Sequence, residues 1–384
     1  MEERIVSSES RLPFRAIPAA ALRGRGPLQL ARGLATTLAG IQAASRLISA
    51  LRPAAILGTG GYVCVPLFLA ARLHRVPTMI YLPDVVPGLA VKFLARLATL
   101  TAVNVEDALP YLGFRLEHGQ GSGIGDRGSG VSGQPSALNP QPSALSPQPS
   151  AVSPQPSALS RRRRALVTGY PVRRELFGQD RAACRRAFGL EEALPVVLVY
   201  GGSRGARSVN QALAALLPDL LERCALIHVC GREGDHHWLQ AAAERLPSRL
   251  KMRYKLYTYL EGGPQSMLAA FGAADLALCR SGASTLAELP AAGLPAVLVP
   301  YPYVHQAENA DYLVRRGAAV KVADAAMLGT GPPNAGPLFR EVIRLLDDEP
   351  GRKRMAEQSR ALARPDAAQS LAEALLSLAA RRRG

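Results

Sequence analysis

The chain has 384 residues, 48% of them hydrophobic and 5% aromatic, a length that suits two domains of about 150 residues each. Its formal net charge of +16 favours an anionic partner, such as a phosphorylated substrate or an acidic membrane surface. The sequence contains no nucleic-acid-binding motif, so nucleic acid is excluded from the expected partners.

The cysteines and the start of the chain indicate the compartment. Five cysteines occur, an odd number, and none forms a C-x-x-C pair. We therefore expect buried thiols in a reducing compartment, with neither disulfides nor a zinc site. The first residues do not resemble a signal peptide, and no uninterrupted apolar run reaches the length of a membrane span. The protein is expected to be soluble or to lie on a membrane without crossing it.

The first 112 residues alternate strands, loops and helices, which predicts a parallel sheet covered by helices. Apolar residues at helical spacing predict a long helix over residues 28–51. A core-facing helix explains most of that pattern, and the alternative is a helix that offers apolar and arginine side chains to an anionic bilayer. A strand at residues 54–57 ends at Gly58-Thr-Gly-Gly61, and Asp84 follows a second strand at residues 77–82.

Residues 113–164 interrupt this alternation. The motif Gln-Pro-Ser-Ala-Leu-Asn-Pro at residues 134–140 recurs with small changes up to residue 160. Such a composition cannot bury a core, so this insertion is predicted to be disordered. The predicted segments are a first domain, the insertion, a second domain, and a C-terminal helix that is a candidate for packing back on the first domain, at residues 1–112, 113–164, 165–365 and 366–384.

Two turns of the second half follow apolar strands. The strand at residues 196–200 leads into Gly201-Gly-Ser-Arg-Gly-Ala206, and the strand at residues 276–279 stops at Ser281-Gly282. A helix is predicted to begin near Ala283, where free backbone N–H groups and the helix dipole favour a phosphate. Glu288 lies one turn inside this helix. An alternative is a capping box formed by Thr285 and Glu288, in which both side chains only close the helix end.

Further polar residues are predicted at the same edge of the sheet. Each glycine-rich turn alone is a weak indication, because neither fits the dinucleotide fingerprint or the P-loop. Two such turns in one sheet, however, suit a pyrophosphate. Arg173 follows a stiff Pro171-Val172 step and offers a forked phosphate contact. The amides of Gln306 and Asn309 are candidates for reading sugar hydroxyls. No metal constellation occurs, and neither a metal nor a cofactor is expected.

Five segments together resemble the MurG family of bacterial peptidoglycan glycosyltransferases. The resemblance covers nearly the whole chain except residues 113–164. The segments are Gly58-Thr-Gly-Gly-Tyr-Val63, Gly169-Tyr-Pro-Val-Arg173, Gly201-Gly-Ser-Arg-Gly-Ala-Arg-Ser-Val-Asn210, Cys279-Arg-Ser-Gly-Ala-Ser-Thr-Leu-Ala-Glu288 and Ala291-Ala-Gly-Leu-Pro-Ala296.

The resemblance implies an α/β fold of two Rossmann-like, doubly wound domains that face a cleft, the GT-B arrangement. Residues 1–112 would form the acceptor and membrane-side domain, truncated at its start, and residues 165–365 the UDP-sugar-binding domain. It implies inverting transfer of N-acetylglucosamine from UDP-N-acetylglucosamine to the muramyl 4-hydroxyl of lipid I, the undecaprenyl-pyrophosphoryl-N-acetylmuramyl-pentapeptide. The enzyme would bind peripherally to the cytoplasmic face of the cell membrane. It would serve peptidoglycan synthesis, and with it cell-wall biogenesis, cell shape and cell division.

The resemblance also implies roles for residues of this chain. Arg173 and Ser203 would contact the phosphates, the Leu260 backbone would hold the uracil, and Glu288 would bind the ribose. Gln306 and Asp84 would contact the N-acetylglucosamine. The segment that would line the diphosphate is Ala283, Ser284, Thr285, Leu286 and Ala287, and the candidate acceptor loop is Gly58, Thr59, Gly60 and Gly61.

The chain departs from the family pattern at three places. It lacks the N-terminal strand and the G-G-T-G-G-H loop, where the acceptor pyrophosphate and a candidate catalytic His are expected, so no catalytic base is assigned. Asp84 stands where the family has Asn, and an ionised Asp accepts hydrogen bonds without donating them. The insertion at residues 113–164 is foreign to the family. Two alternatives follow: a related lipid glycosyltransferase with another acceptor, or a truncated, inactive chain that only binds the nucleotide sugar.

Overall fold

The computed structural model describes residues 6, 12–20, 26–114, 164–191 and 193–381. Its described strands form two separate, wholly parallel sheets, as the predicted α/β class requires. The first sheet has four strands in the order β1-β2-β3-β4. They are β1 (Ile56–Gly58), β2 (Thr78–Leu82), β3 (Leu100–Val103) and β4 (Arg164–Val167).

Three α-helices precede or follow these strands. They are α1 (Pro27–Leu51), α2 (Cys64–Leu73) and α3 (Leu89–Leu97). Helix α1 approaches its neighbours closely at Gly40, where an added Cβ would lie 2.1 Å from the Pro18 carbonyl oxygen and 3.1 Å from the Pro66 Cβ. Only glycine fits there, so α1 is held firmly against the first domain.

The second domain does not begin where the sequence predicted. The prediction placed its start at residue 165, yet Arg164–Val167 pairs in parallel with Leu100–Val103 of the first sheet. The sequence of a strand that follows a long insertion does not show which sheet the strand joins. Only the observed pairing assigns this strand to the first sheet. The predicted disordered insertion lies mostly outside the described residues.

The second sheet has six strands in the order β10-β9-β8-β5-β6-β7. The strands are β5 (Val196–Tyr200), β6 (Ala225–Val229), β7 (Tyr254–Tyr257), β8 (Leu276–Cys279), β9 (Ala296–Leu298) and β10 (Ala319–Lys321). The helices around them are α4 (Arg181–Ala187), α5 (Arg207–Leu221), α6 (His236–Glu244), α7 (Ser248–Lys251), α8 (Met267–Ala273), α9 (Thr285–Ala292), α10 (Gln306–Arg315), α11 (Pro337–Asp347), α12 (Glu349–Ala361) and α13 (Ala367–Ala380).

The strand order creates a switch point between β5 and β8. From β5 the chain builds outward through β6 and β7, and it then returns to build the other side from β8. The two strands pair directly, with Tyr200 opposite Cys279. Loops that follow neighbouring parallel strands at such a switch point form the crevice where open α/β sheets bind ligands.

Apolar side chains cover both faces of each sheet. In the second sheet, Leu198 packs in the core on one face and Val197 in the core on the other. The last helix crosses back to the first sheet, where Leu378 joins the buried side chains of Met79 and Tyr81. This packing agrees with the predicted return of the C-terminal helix, and it ties the end of the chain to the first domain.

One described helix meets the length and composition of a membrane span, at residues 31–51 of α1. The sequence had not suggested a span, because small and polar residues interrupt the apolar ones. One face of α1 is nevertheless packed, since Ala44 and Ile48 are buried against α2 residues. We therefore describe α1 as a helix of the first domain with one exposed face.

Candidate functional site

The glycine turn after β5 is built by close backbone packing. Gly202 and Gly205 adopt left-handed φ angles of 84° and 88°, which glycine reaches without steric cost. A Cβ on Gly205 would lie 2.1 Å from the Cys230 carbonyl oxygen. Ser203 is exposed at the tip of the turn, and its carbonyl oxygen accepts from the Arg232 N–H at 3.3 Å. The turn therefore holds Ser203 outward at the start of α5.

A buried polar network supports this turn from behind. The Asn210 side chain donates to the Cys230 carbonyl oxygen at 2.9 Å and to Asp235 at 2.8 Å. His228 contacts Asn210 Oδ1 through Nε2 at 3.0 Å and the Tyr254 hydroxyl through Nδ1 at 2.8 Å. Burial lowers the pKa of His228 to about 3, so this histidine is neutral at physiological pH.

The second turn, after β8, leaves its backbone donors free. Thr285 N–H donates to the Gly282 carbonyl at 3.1 Å. The N–H groups of Gly282, Ala283 and Ser284 have no partner within the described part of the chain. They precede helix α9, whose dipole adds positive potential at the same place. The turn is thus a preformed cradle for an anion.

The capping-box alternative is wrong. Helix α9 begins at Thr285, two residues later than predicted, and its N-cap Ser284 makes no side-chain capping bond. Thr285 Oγ1 instead donates back to the Arg280 carbonyl oxygen at 3.2 Å. The side chains of Thr285 and Leu286 are buried. Thr285 and Leu286 therefore offer only their backbone to the cradle, and Thr285 and Glu288 do not form the predicted capping box.

Glu288 stands beside this turn in a half-buried position. Burial raises the pKa of its carboxyl group, while the Ser284 hydroxyl and the Arg173 guanidinium act in the opposite direction. The Arg173 side chain is itself exposed. The structure therefore brings together a cation and a carboxylate that are far apart in sequence, at the edge of the free N–H groups.

Arg280 fixes the base of the turn. Its guanidinium donates to the Val299 carbonyl oxygen at 3.0 Å, to Asp324 at 2.7 Å and to the Ser208 hydroxyl at 2.7 Å. These partners come from the ends of β9 and β10 and from α5. The two turns that were predicted separately are consequently locked to one another through one buried arginine.

The Asn309 amide does not read a sugar, contrary to the prediction. Its side chain is 0% exposed. Its amide group donates to Asp84 Oδ1 at 2.9 Å and to the Ser281 carbonyl oxygen at 3.0 Å, and its oxygen accepts from the Val85 N–H at 2.9 Å. All of its hydrogen-bonding capacity is directed at protein atoms from both domains, so it connects them.

Gln306 and Leu260 lie on either side of the β8 turn. Gln306 accepts from the Tyr301 N–H at 2.9 Å, and the nitrogen of its amide group lies 4.0 Å from an ideal Cβ position on Gly282. The Leu260 side chain is buried in the second-domain core, which leaves only its backbone available to a ligand. The Gln306 amide therefore lies beside the anion cradle.

Tyr170 is a site residue that the motif contained but that sequence reasoning gave no role. Burial raises its pKa, and the charges of Glu288 and Asp84 raise it further. Its ring is 6.3 Å from that of Tyr81, whose hydroxyl donates to the Gly169 carbonyl oxygen at 2.9 Å. Tyr170 thus sits between the carboxylates of the two domains, a position that only the folded arrangement shows.

The glycine turn of the first domain follows β1. Gly60 and Gly61 have left-handed φ angles of 103° and 77°. The Cys64 thiol donates to the Gly60 carbonyl oxygen at 2.9 Å, and a Cβ on Gly60 would lie 2.8 Å from Val91. This turn opens helix α2 at the carboxyl end of the first sheet.

An ion cluster joins the two domains beside these turns. Arg316 pairs with Asp107 at 2.7 Å and with Glu106 at 2.6 Å, and Arg315 pairs with Asp107 at 2.6 Å. Burial opposes the ionisation of Asp107, but hydrogen bonds from Arg316 and Arg315 outweigh it and lower its pKa. The relative position of the domains is therefore held by charge as well as by Asn309.

Comparison with known proteins assigns the class. Residues 196–371 match the glycosyltransferase family 28 C-terminal domain, and residues 1–103 match the glycosyltransferase family 28 N-terminal domain. The matches fall on the two sheets that build the cleft. The chain belongs to glycosyltransferase family 28.

The relatives within this family bear one enzyme name. The chain is 55% identical to the UDP-N-acetylglucosamine--N-acetylmuramyl-(pentapeptide) pyrophosphoryl-undecaprenol N-acetylglucosamine transferase of Roseiflexus sp. (strain RS-1), over 100% of this chain and 82% of that protein. It is 33% identical to the protein of the same name from Desulforudis audaxviator (strain MP104C), over 96% of this chain and 85% of the relative. These relatives confirm the resemblance to the MurG family.

Solved structures share the fold. The crystal structure of Acinetobacter baumannii MurG superposes with a TM-score of 0.65 at 23% identity, over 98% of this chain and 88% of that one. A UDP-GlcNAc 2-epimerase from Neisseria meningitidis, solved with UDP-GlcNAc bound, gives 0.58 at 13% identity, over 98% and 88% of the two chains. Both confirm the predicted arrangement of two α/β domains.

Proposed function

We propose that this chain transfers N-acetylglucosamine from UDP-N-acetylglucosamine to the muramyl 4-hydroxyl of lipid I, with inversion, and so forms lipid II. The observation that carries the proposal is the pairing of β5 with β8, which sets two glycine turns side by side at the switch point. The names of the family 28 relatives supply the substrates. A related enzyme with another lipid acceptor is not favoured by these relatives.

The donor diphosphate would bind between the two turns. The free N–H groups of Gly282, Ala283 and Ser284 would face one phosphate, and Ser203 and Arg173 would reach the other. These donors are fixed before the reaction by the backbone packing of the turns. Preorganised donors stabilise charge as it develops, so their main contribution would be to the departure of UDP.

Other residues of the site would bind the nucleoside and the sugar of UDP-N-acetylglucosamine. Glu288 would accept from the ribose hydroxyls, since its half-buried carboxylate lies next to the cradle. The Leu260 backbone would hold the uracil. Gln306 would contact the N-acetylglucosamine, as would the Asp84 oxygen that Asn309 does not use. With the donor bound in this way, the anomeric carbon of the sugar would lie over the gap between the two domains.

The reaction would be a displacement at that carbon. The muramyl hydroxyl attacks from the side of the first domain and gives its proton to a base that is not assigned, while the bond to the diphosphate breaks and UDP leaves with the bonding electrons. The transition state has oxocarbenium character, as in glycoside hydrolysis. The Gly58–Gly61 turn, at the carboxyl end of the first sheet, is the candidate for holding the acceptor. Its left-handed glycines allow close approach of a pyrophosphate.

Transfer assays with two acceptors test the proposal. Purified protein is incubated with radiolabelled UDP-N-acetylglucosamine and either lipid I or diacylglycerol in detergent. Labelled lipid II in the first reaction only is the expected result. Label on diacylglycerol would assign a different acceptor. Donor binding without transfer to lipid I would leave only the nucleotide-sugar-binding alternative.

The protein would carry out this reaction at the cytoplasmic face of the membrane, bound peripherally. Helix α1 supports this location, because Leu34 and Leu38 are 48% and 67% exposed and Arg32 and Arg46 are exposed near them. Apolar side chains and arginines on one exposed helix suit an anionic bilayer surface.

Flotation with phosphatidylglycerol and phosphatidylcholine vesicles tests the location. The wild type should float with anionic vesicles, and more weakly at high salt. The double change Leu34→Ser and Leu38→Ser should abolish flotation. Leu376→Ser, at an equally exposed position on α13, is the matched control and should leave it unchanged. Equal loss in both variants would contradict the assignment to α1.

A further inference from the structure

A second cavity lies at the amino end of the first sheet, on the side away from the cleft. It has a volume of about 410 Å³, within the range of small-molecule pockets. Its apolar wall includes Pro77 and Leu97 from the first domain and Leu378 from the last helix. Three arginines, Arg72, Arg75 and Arg381, stand around it.

The charged side chains that line this cavity are positive. Among the residues that the structure describes, its lining includes three guanidinium groups and no carboxylate. Within the described ranges, none of these arginines has an ion pair or a side-chain hydrogen bond. Other arginines of the described residues are paired, as Arg316 is with Asp107 and Arg280 with Asp324. Three unpaired guanidiniums around one concave surface constitute a site for an anion.

Helix capping explains only part of this arrangement. Arg72 lies in the last turn of α2 and Arg381 at the end of α13, where a cation is favoured by the helix dipole. Arg75 lies beyond the helix, with a left-handed φ of 53°, at the position after a helix where glycine is preferred. An arginine at that position is disfavoured by its backbone and is not accounted for by the dipole.

We propose that this cavity binds a small phosphorylated anion through Arg72, Arg75 and Arg381. Planar guanidinium groups match the oxygens of phosphate in pairs, and the apolar wall suits the rest of a small organic phosphate. Two of the arginines belong to the first domain, and the third follows the second domain along the chain. The bound anion therefore fastens the last helix to the first sheet.

The chain supplies a matched control for the central arginine. Arg52 is exposed and also has a left-handed φ, of 46°, after the end of α1, but it does not line the cavity. Arg75→Gly and Arg52→Gly each remove one positive charge and relieve one left-handed side chain. Because the two changes are otherwise alike, any difference in anion binding between the variants comes from the position of Arg75 in the cavity.

Titration with inorganic pyrophosphate, followed by calorimetry and by the shift in melting temperature, tests the proposal. The wild type and Arg52→Gly should respond alike. Arg75→Gly should bind at least about tenfold more weakly, and Arg381→Gln should repeat this loss without altering α2. Because the donor site is the same in all variants, pyrophosphate bound there cannot produce the difference.

A parallel arm separates a soluble phosphate from a lipid headgroup. The same variants are floated with phosphatidylglycerol vesicles. If Arg75→Gly loses pyrophosphate binding, the ligand is a soluble phosphate. If it loses vesicle binding and keeps pyrophosphate binding, the ligand is a lipid headgroup. Both results support the site. Equal responses of Arg75→Gly and Arg52→Gly to both probes would overturn it.

Discussion

The two sheets of this chain present their glycine turns in different settings. In the second sheet the turns follow β5 and β8, two paired strands in the interior of the sheet, and Arg280 locks them together. In the first sheet the turn follows β1, an edge strand of the described sheet, and the Cys64 thiol supports it. The comparison shows that the second sheet brings two glycine turns together through the pairing of β5 with β8, whereas the described first sheet offers a single turn after β1. The strand order of a sheet therefore decides how many turns, with their free backbone N–H groups, lie together at one site.

Acid should produce the largest effect, and it should act on the second domain. His228 is neutral in the folded protein because burial lowers its pKa from 6.5 to about 3. The unfolded imidazole takes up a proton below about pH 6.5. Stability is therefore full above that pH and is lost as the pH falls towards 3, by up to about 1.4 kcal/mol per pH unit.

Urea unfolding at several pH values measures this loss. His228→Gln should flatten the dependence, whereas the exposed His237→Gln should keep it. Faster amide exchange at residues 202–206 than at 58–61 on acidification would locate the effect behind the second-domain turn. The same acid dependence in His228→Gln as in the wild type would refute this explanation.

The second-largest effect should come from breaking the hydrogen bonds of Asn309, which connect the two domains. Asn309→Ala removes three buried hydrogen bonds and leaves the Val85 N–H and Asp84 without their partner. Each unsatisfied buried group costs about 1–3 kcal/mol, so we expect a total loss of about 3 kcal/mol in urea unfolding. Asn334→Ala, whose amide makes one exposed contact to Asp219, should change stability by less than about 0.5 kcal/mol. Similar losses in both variants would contradict the role of Asn309.

Glu288 should affect binding more than stability. Glu288→Gln removes the charge that would accept from the ribose, and hydrogen bonds to charged groups contribute about 1.5–3 kcal/mol, or about 10- to 150-fold in Kd. Calorimetry with UDP-N-acetylglucosamine measures this change, with Glu341→Gln, whose carboxylate pairs with Arg344 on α11, as the control. A large fall in melting temperature at unchanged Kd would assign Glu288 a structural role instead.

The interdomain ion cluster should give the smallest effect. Arg316→Gln should cost about 1 kcal/mol, because this pair is partly exposed and solvent screens it. The lowered pKa of Asp107 means that the stabilisation is present above its ordinary pKa of about 3.8 and is lost as the pH falls through its lower folded pKa. Unfolding should show the full loss at pH 7 and a smaller loss at pH 3. A difference of the same size at both pH values would rule out the ion pair as the cause.

The sequence predicted the second-domain site better than the first, for physical reasons. Strands β5 and β8 are fully buried apolar runs that lead into glycine-containing turns, so their pattern is local and readable. Strand β4 lies after the insertion, and its partner depends on long-range pairing. The role of Asn309 and the position of Tyr170 arise between domains, where no spacing along the chain reports a contact. The capping box was wrong because the helix starts two residues late.

Amide hydrogen exchange with and without UDP-N-acetylglucosamine tests the central claim most directly, that the donor binds at the switch point of the second sheet. Exchange should slow at residues 202–206 and at residues 282–287 together, and it should stay unchanged at residues 58–61. Slowed exchange at residues 58–61 alone, or none at either second-domain turn, would contradict the claim.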